Sequence, residues 1–200
     1  MDDVEPDAKD ETMILLTGFE PFTTGRGLEL THNPTADIAR SVAADLKDVM
    51  GVVLPVSYQE TRRTLEARFE SLCPRGWVGL GYAPHRTQVD IETIALNVEH
   101  AARPDNDGDQ PFMRPIIKDA HLAYQTRLDV TAAIADFAEH GVQAFPCLHA
   151  GAFLCNQTFY LGCHRVESVD SMKVAAFIHV PPMDKCDRFT AGLKSCLQRL

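Results

Sequence analysis

The segment Ala150-Gly151-Ala152-Phe153-Leu154-Cys155-Asn156 puts a cysteine where a small-residue turn meets a helix that begins at about residue 155. The first turn of a helix carries unpaired N–H groups and the positive end of the helix dipole, so it stabilises an anion. A thiol held there is expected to lose its proton more readily, and the same N–H groups can receive a developing oxyanion. That is the chemistry of a cysteine nucleophile attacking a carbonyl. A cysteine that only packs fits the same place, so the discriminating requirement is a base within reach and a group to orient it.

Eight histidines compete for the role of base. His179 ends the apolar run Val174–Ile178 and precedes Val180-Pro181-Pro182, a strand end of the kind where sites gather in parallel α/β sheets. His164 lies nine residues along the same helix as Cys155 and projects away from it, while His121 and His140 fall on polar stretches. Glu92 interrupts an apolar strand, Ile91-Glu92-Thr93-Ile94-Ala95-Leu96. A carboxylate there is costly unless paired, and His179 is a suitable partner. Taken alone, each residue also has a plainer reading: a core histidine for His179, and a water-facing edge-strand glutamate for Glu92.

The elements that must position these residues follow an α/β alternation. Apolar runs at 13–17, 51–56 and 77–81 read as strands. Asn33-Pro34 opens a helix whose apolar face is Ile38, Val42 and Leu46, and Ser57-Tyr58-Gln59-Glu60 has the form of a capping box for a helix to Leu72. Residues 89–97 read as strand, with an apolar parity that switches between Ile91 and Ile94 and so predicts a bulge or bend near Glu92. Residues 98–127 read as irregular, with a turn at Pro104-Asp105-Asn106-Asp107-Gly108. A helix capped by Asp129 and ending at Gly141, a strand through Leu148, a helix over 155–166, a strand over 172–180 and a helix after Asp184 complete the chain.

Composition bounds the rest. An apolar fraction of 45% and a charged fraction of 24% suit a soluble globular chain, and 200 residues suit a single domain over 13–200. The net charge of −9 is concentrated at the start, where residues 1–11 hold six acids and one lysine; residues 1–12 are expected to be a disordered acidic tail. No basic footprint for nucleic acid, no signal peptide and no membrane-length apolar run is present, so a cytoplasmic location with reduced thiols is expected. The six cysteines form no C-x-x-C pair, and no histidine–cysteine cluster has metal-ligand spacing. Gly79-x-Gly81-x-x-Pro84 lacks the third glycine of a dinucleotide fingerprint.

Four ordered segments resemble those of the pyroglutamyl peptidase I (pyrrolidone carboxyl peptidase) family of cysteine peptidases. They are Thr17-Gly-Phe-Glu-Pro-Phe22 with Asn33-Pro34-Thr35; Ile91 to Asn97 with Pro104-Asp105-Asn106; Ala150-Gly-x-Phe-Leu-Cys-Asn156; and Phe177-Ile-His-Val-Pro181. Glu92 lies 63 residues before Cys155, and His179 lies 24 after it, as in that family. The resemblance implies a three-layer α/β/α sandwich around a mostly parallel, mixed, twisted sheet, assembled as a homodimer or homotetramer. It implies removal of N-terminal 5-oxoproline from peptides without metal or cofactor. Cys155 is then the nucleophile, His179 the base and Glu92 its orienter, with Phe19 and Phe22 against the lactam ring and Asn33, Phe153 and Leu154 nearby.

Three departures bear on the substrate. The family's glutamine after Gly81 is Tyr82, followed by Ala83-Pro84-His85-Arg86 in place of Ala-Gly-Gly-Arg. The family's Ala-Arg before the Pro-Asp-Asn turn is Ala101-Ala102-Arg103, and Arg103 is the candidate to replace the arginine that supports the oxyanion region. His149 stands where a small hydroxyl residue is usual. Tyr82 therefore joins the substrate-contact candidates. A same-triad amidohydrolase for a different blocked or cyclic amide, and a non-catalytic binding protein on the same fold, are the alternatives; retention of all three triad residues disfavours the second.

Overall fold

The computed structural model describes residues 12–23, 27, 29–183 and 186–200, so residues 1–11 of the expected acidic tail, and Asp184 itself, lie outside the described residues. Strands β1 (Ile14–Phe19), β2 (Val49–Leu54), β3 (Gly76–Tyr82), β4 (Val89–Glu92), β7 (Ala144–Cys147) and β8 (Val174–Val180) form one six-stranded sheet in the order β2-β1-β3-β8-β4-β7. Every neighbouring pair is parallel except β4 and β8, which run antiparallel. A separate two-stranded sheet pairs β5 (Ile94–Leu96) with β6 (Ala123–Gln125).

Strand side chains alternate between two cores. Ile14, Leu16, Val78, Leu80, Val89, Ile91, Ala176 and Ile178 pack against α1 (Pro34–Asp45), α3 (Val130–Glu139) and α5 (Cys186–Arg199). Leu15, Trp77, Ala175 and Phe177 pack on the other face against α2 (Tyr58–Leu72) and α4 (Leu154–Ser168). The result is the expected three-layer arrangement. Trp77 is fully buried and its indole N–H donates to Thr17 Oγ1 at 3.1 Å, so its one polar atom is satisfied. On β1, Gly18 lets α1 come close: a Cβ there would lie 2.2 Å from the Thr35 carbonyl oxygen.

The parity switch after Ile91 has a definite cause. The chain does not bulge within one strand but leaves the main sheet at Thr93, whose N–H and hydroxyl both donate to Cys147 O at 2.8 Å, and continues as β5 in the small sheet. Residues 98–127 are correspondingly less irregular than expected, since they contain β6 and a bridge between Glu99 and Arg114. The Pro104-Asp105-Asn106 turn is an anchor. Asp105 Oδ1 accepts from the N–H groups of Asp107 and Asp109, both at 2.9 Å, and Oδ2 accepts from Tyr58 N at 2.7 Å at the start of α2. Ser57 caps α2 as expected, accepting from Glu60 N, but Glu60 does not reach back; its carboxylate pairs with Arg63.

Candidate active site

Parity puts the chemistry on one face. Asp90 and Glu92 alternate with Val89 and Ile91 on β4, and His179 alternates with Ile178 and Val180 on β8, so all three point to the α4 side of the sheet. The antiparallel register pairs Asp90 with His179 and Glu92 with Phe177, which makes Glu92 and His179 diagonal neighbours. His179 Nδ1 lies 2.6 Å from Glu92 Oε1. That oxygen also accepts from Arg86 Nη1 at 2.9 Å. Because the carboxylate oxygen is the acceptor for arginine, Nδ1 carries the hydrogen and Nε2 is left as the basic nitrogen. Gly81 on β3 is opposite His179; a Cβ there would fall 2.9 Å from the imidazole Cδ2, so only glycine leaves the ring its place.

Cys155 comes from the opposite layer, in the first turn of α4. Two side chains next to it hold that turn. Asn156 accepts from Leu96 N at 2.9 Å and donates to Leu96 O and Val98 O, while Gln157 donates to Tyr58 O and to Glu99. The turn before the helix uses Gly151 at φ +81°, with its N–H donating to His149 Nδ1 at 3.2 Å, which gives the unusual His149 a structural task. Phe153 is the N-cap and has no side-chain capping bond. The N–H groups of Asn156 and Gln157 close onto Phe153 O, so the amides available at the helix start are those of Leu154 and Cys155.

The expected lowering of the Cys155 pKa does not occur. Part of the residue reaches a cavity, but protein surrounds the thiol, and this desolvation, reinforced by the Glu92 charge, pushes it up to about 12. Burial outweighs the helix terminus. His179 is shifted down from the ordinary imidazole value, again chiefly by burial, against the hydrogen bond and charge of Glu92. Thiol and imidazole are therefore both neutral at rest, and no hydrogen bond joins them directly. Such an arrangement can yield a nucleophile only by transfer of the thiol proton to Nε2 during attack.

The substrate-contact candidates converge. Phe19, Phe22, Asn33, Tyr82, Phe153, Leu154 and Cys155 line one cavity of about 90 Å³, and of the six cysteines it is Cys155 that lies there. Val56 and Gly81 complete the wall and were not legible as such in the sequence. The walls are mainly apolar, and Phe153 is held by an edge-to-face contact with Tyr58 at 5.3 Å. Asn33 is more committed than expected. Its Oδ1 accepts from Thr35 N and Oγ1 to cap α1, and its amide donates to Glu20 O at 3.0 Å, so it holds the β1–α1 loop in shape. Arg103 does not line this cavity. It borders a neighbouring cleft of about 260 Å³ that shares Phe22, Val56 and Phe153 with this cavity, and it lies over Gly27. Two polar residues of the site also escaped sequence reading: Arg86 and Asp90, whose Nη1 and Oδ2 are 2.5 Å apart. Their signal was present, as two acids at i and i+2 on a strand otherwise apolar.

Comparison with known proteins agrees with this geometry. The profile described as Pyroglutamyl peptidase matches residues 12–195. The chain belongs to the pyroglutamyl peptidase family. It is 34% identical over 168 residues to the pyrrolidone-carboxylate peptidase of Pyrococcus furiosus, covering 84% of this chain and 80% of that one. With the Thermococcus litoralis relative it shares 36% identity over 173 residues, covering 84% and 76%. The solved pyrrolidone carboxyl peptidase structure from Thermococcus litoralis superposes with a TM-score of 0.85 at 30% identity, over 93% of this chain and 91% of that one. The Thermus thermophilus structure gives 0.83 at 30% identity, over 94% and 100%. The pyroglutamyl peptidase fold thus extends over nearly the whole chain.

Proposed function

We propose that this chain removes an N-terminal pyroglutamyl residue from peptides by thiolate attack and a thioester intermediate, with Cys155, His179 and Glu92 in the roles of nucleophile, base and orienter. The observation that carries the residue roles is the His179–Glu92 hydrogen bond of 2.6 Å on the sheet face that Cys155 overhangs. Nε2 accepts the Cys155 proton while Sγ bonds to the pyroglutamyl carbonyl carbon. Leu154 N–H and Cys155 N–H are placed to hold the oxyanion. As the C–N bond breaks, the same proton passes from Nε2 to the departing amine. Water then adds to the thioester, giving its proton to Nε2, and the C–S bond breaks to release the free acid and restore the thiol. Glu92 stabilises each transient imidazolium.

An apolar cavity of about 90 Å³ suits a small uncharged lactam, whose polar edges can be met by backbone groups. The fitting assembly is a homodimer or homotetramer, as the family resemblance implies, and the fitting location is the cytoplasm expected from the sequence. Among the described residues no helix is long and apolar enough to cross a membrane. The primary test is release of the chromophore from a pyroglutamyl anilide, with prolyl and glutamyl anilides as controls. A folded, reduced protein that hydrolyses none of them, or all three alike, contradicts the proposal.

Tyr82 gives the substrate prediction. It lines the cavity beside Cys155 where the family's glutamine would stand, and it is only half-buried. Tyr82→Gln is expected to raise kcat/KM on pyroglutamyl substrates by about 10-fold, within the roughly 10- to 200-fold range that pocket contacts control. The pH profile should not move, because the hydrogen bonds of the His179–Glu92 pair are made with each other and with Arg86. Unchanged selectivity in a folded variant would show the tyrosine to be neutral for recognition.

A further inference from the structure

The carboxylate that orients His179 is itself held, and by a charge. Glu92 is completely buried, and its Oε1 takes both of its hydrogen bonds, from His179 Nδ1 and from Arg86 Nη1; its other oxygen has no partner. The same Arg86 nitrogen contacts Asp90 Oδ2, and Asp90 Oδ1 accepts from Gln88 Nε2 at 3.1 Å. Arg86 is largely buried, with 17% of its side chain exposed, in the turn between β3 and β4, which its own N–H closes onto Ala83 O at 3.0 Å. One arginine thus bridges two carboxylates on adjacent same-face positions of β4, one of them bonded to the base.

We propose that Arg86 is a positioning residue for His179: by bridging Asp90 and Glu92 it fixes Oε1 on Nδ1, and by its charge it keeps the resting imidazole neutral and able to accept the Cys155 proton. The proposal rests on reading His179 as the base. Two donors on one oxygen are close neighbours, so an imidazolium at His179 forms beside a guanidinium and is disfavoured by it. The charged groups that act on His179 are Asp90 and Glu92 from β4 and Arg86 from the turn, and the thiols of Cys155 from α4 and Cys147 from β7 both feel Glu92 and Arg86. Gly81 of β3 contributes no charge. Without Arg86, two acids with no compensating cation would face the imidazole. They would raise its proton affinity and compete for a proton themselves.

The test compares Arg86→Gln with Arg86→Lys, both checked for fold by circular dichroism, in the pH dependence of kcat/KM and in an NMR titration of the His179 ring assigned with His179→Gln. In Arg86→Gln, the acid limb and the ring titration are expected to move up together by about 1 pH unit or more, the usual effect of one close charge. Arg86→Lys keeps the charge and should leave the limb near its original place, and because one nitrogen makes both contacts an ammonium should retain more of kcat than Arg86→Gln does. A folded Arg86→Gln with an unmoved limb and an unmoved ring titration overturns the proposal and leaves Arg86 a structural residue. If Arg86→Gln does not fold, Asp90→Asn decides instead: with one acid removed and Arg86 kept, ring titration and limb must both move down, and no movement overturns the proposal. The ring titration needs no turnover. A protein inactive on pyroglutamyl anilide therefore refutes the peptidase reading without obscuring this one.

Discussion

Cys155→Ser is expected to lower kcat/KM on a pyroglutamyl anilide by about 10⁴-fold or more, the scale on which loss of a nucleophile is felt when catalytic groups act as a unit. The fold should survive, since the substitution is close to isosteric and the residue lies beside a cavity. A fall in Tm of a few degrees is expected, as for a loss of about 1 kcal/mol when a buried thiol becomes a hydroxyl. The loss is large because the thiol, although pushed up to about 12, still gives its proton to a neutral imidazole more easily than a hydroxyl does. Cys147→Ser is the matched control. That thiol also feels Glu92 and Arg86, but it contacts His149 O from the end of β7 and lies off the cavity. Retained activity in Cys155→Ser with loss in Cys147→Ser would move the nucleophile to the other cysteine.

Glu92→Gln is expected to lower the pH-independent plateau of kcat/KM by about 10³- to 10⁴-fold, by analogy with neutralising the acid of a Ser-His-Asp triad. The sign of the accompanying pH shift follows from the forces on His179. Burial and Arg86 lower its pKa, while the hydrogen bond and charge of Glu92 raise it. Removing the raising contribution leaves the lowering ones, so the acid limb moves to lower pH, opposite to the direction expected for Arg86→Gln. The amide oxygen can still accept from Nδ1–H, so a small loss of rate with an unmoved limb would mean that Glu92 orients the ring without stabilising its charge.

Much of this site could be read from local chemistry. Cys155 at a helix start, His179 at a strand end and Glu92 in an apolar strand are each visible within a few residues. Less visible was anything set by contacts distant in the chain. Thr93 marks a change of sheet rather than a bulge because it bonds to Cys147 O, 54 residues away. The α2 capping box closes only halfway because Glu60 has Arg63 to pair with. The Cys155 thiol rises instead of falling because desolvation depends on the layers that close over it, while the helix-terminus argument sees one element at a time. Arg86 was visible only as part of the stretch after Gly81, because a turn residue shows its role only once β4 and β8 are side by side.

The position of β8 bears on how the protein comes to be active during its own synthesis. Among the described residues this strand is the last, yet it lies inside the sheet, between β3 and β4, and it pairs with both. A growing chain that has exposed everything up to residue 170 has the cysteine, the glutamate and the pocket walls but lacks the strand that carries the base. The gap between β3 and β4 is filled only by residues 174–180, so proton transfer begins at one of the last steps of assembly, and a long-range one of the kind that slows folding. With His179 as the proposed base, chains stalled or clipped before that point are expected to be inert toward peptides, so that activity reports closure of the centre of the sheet.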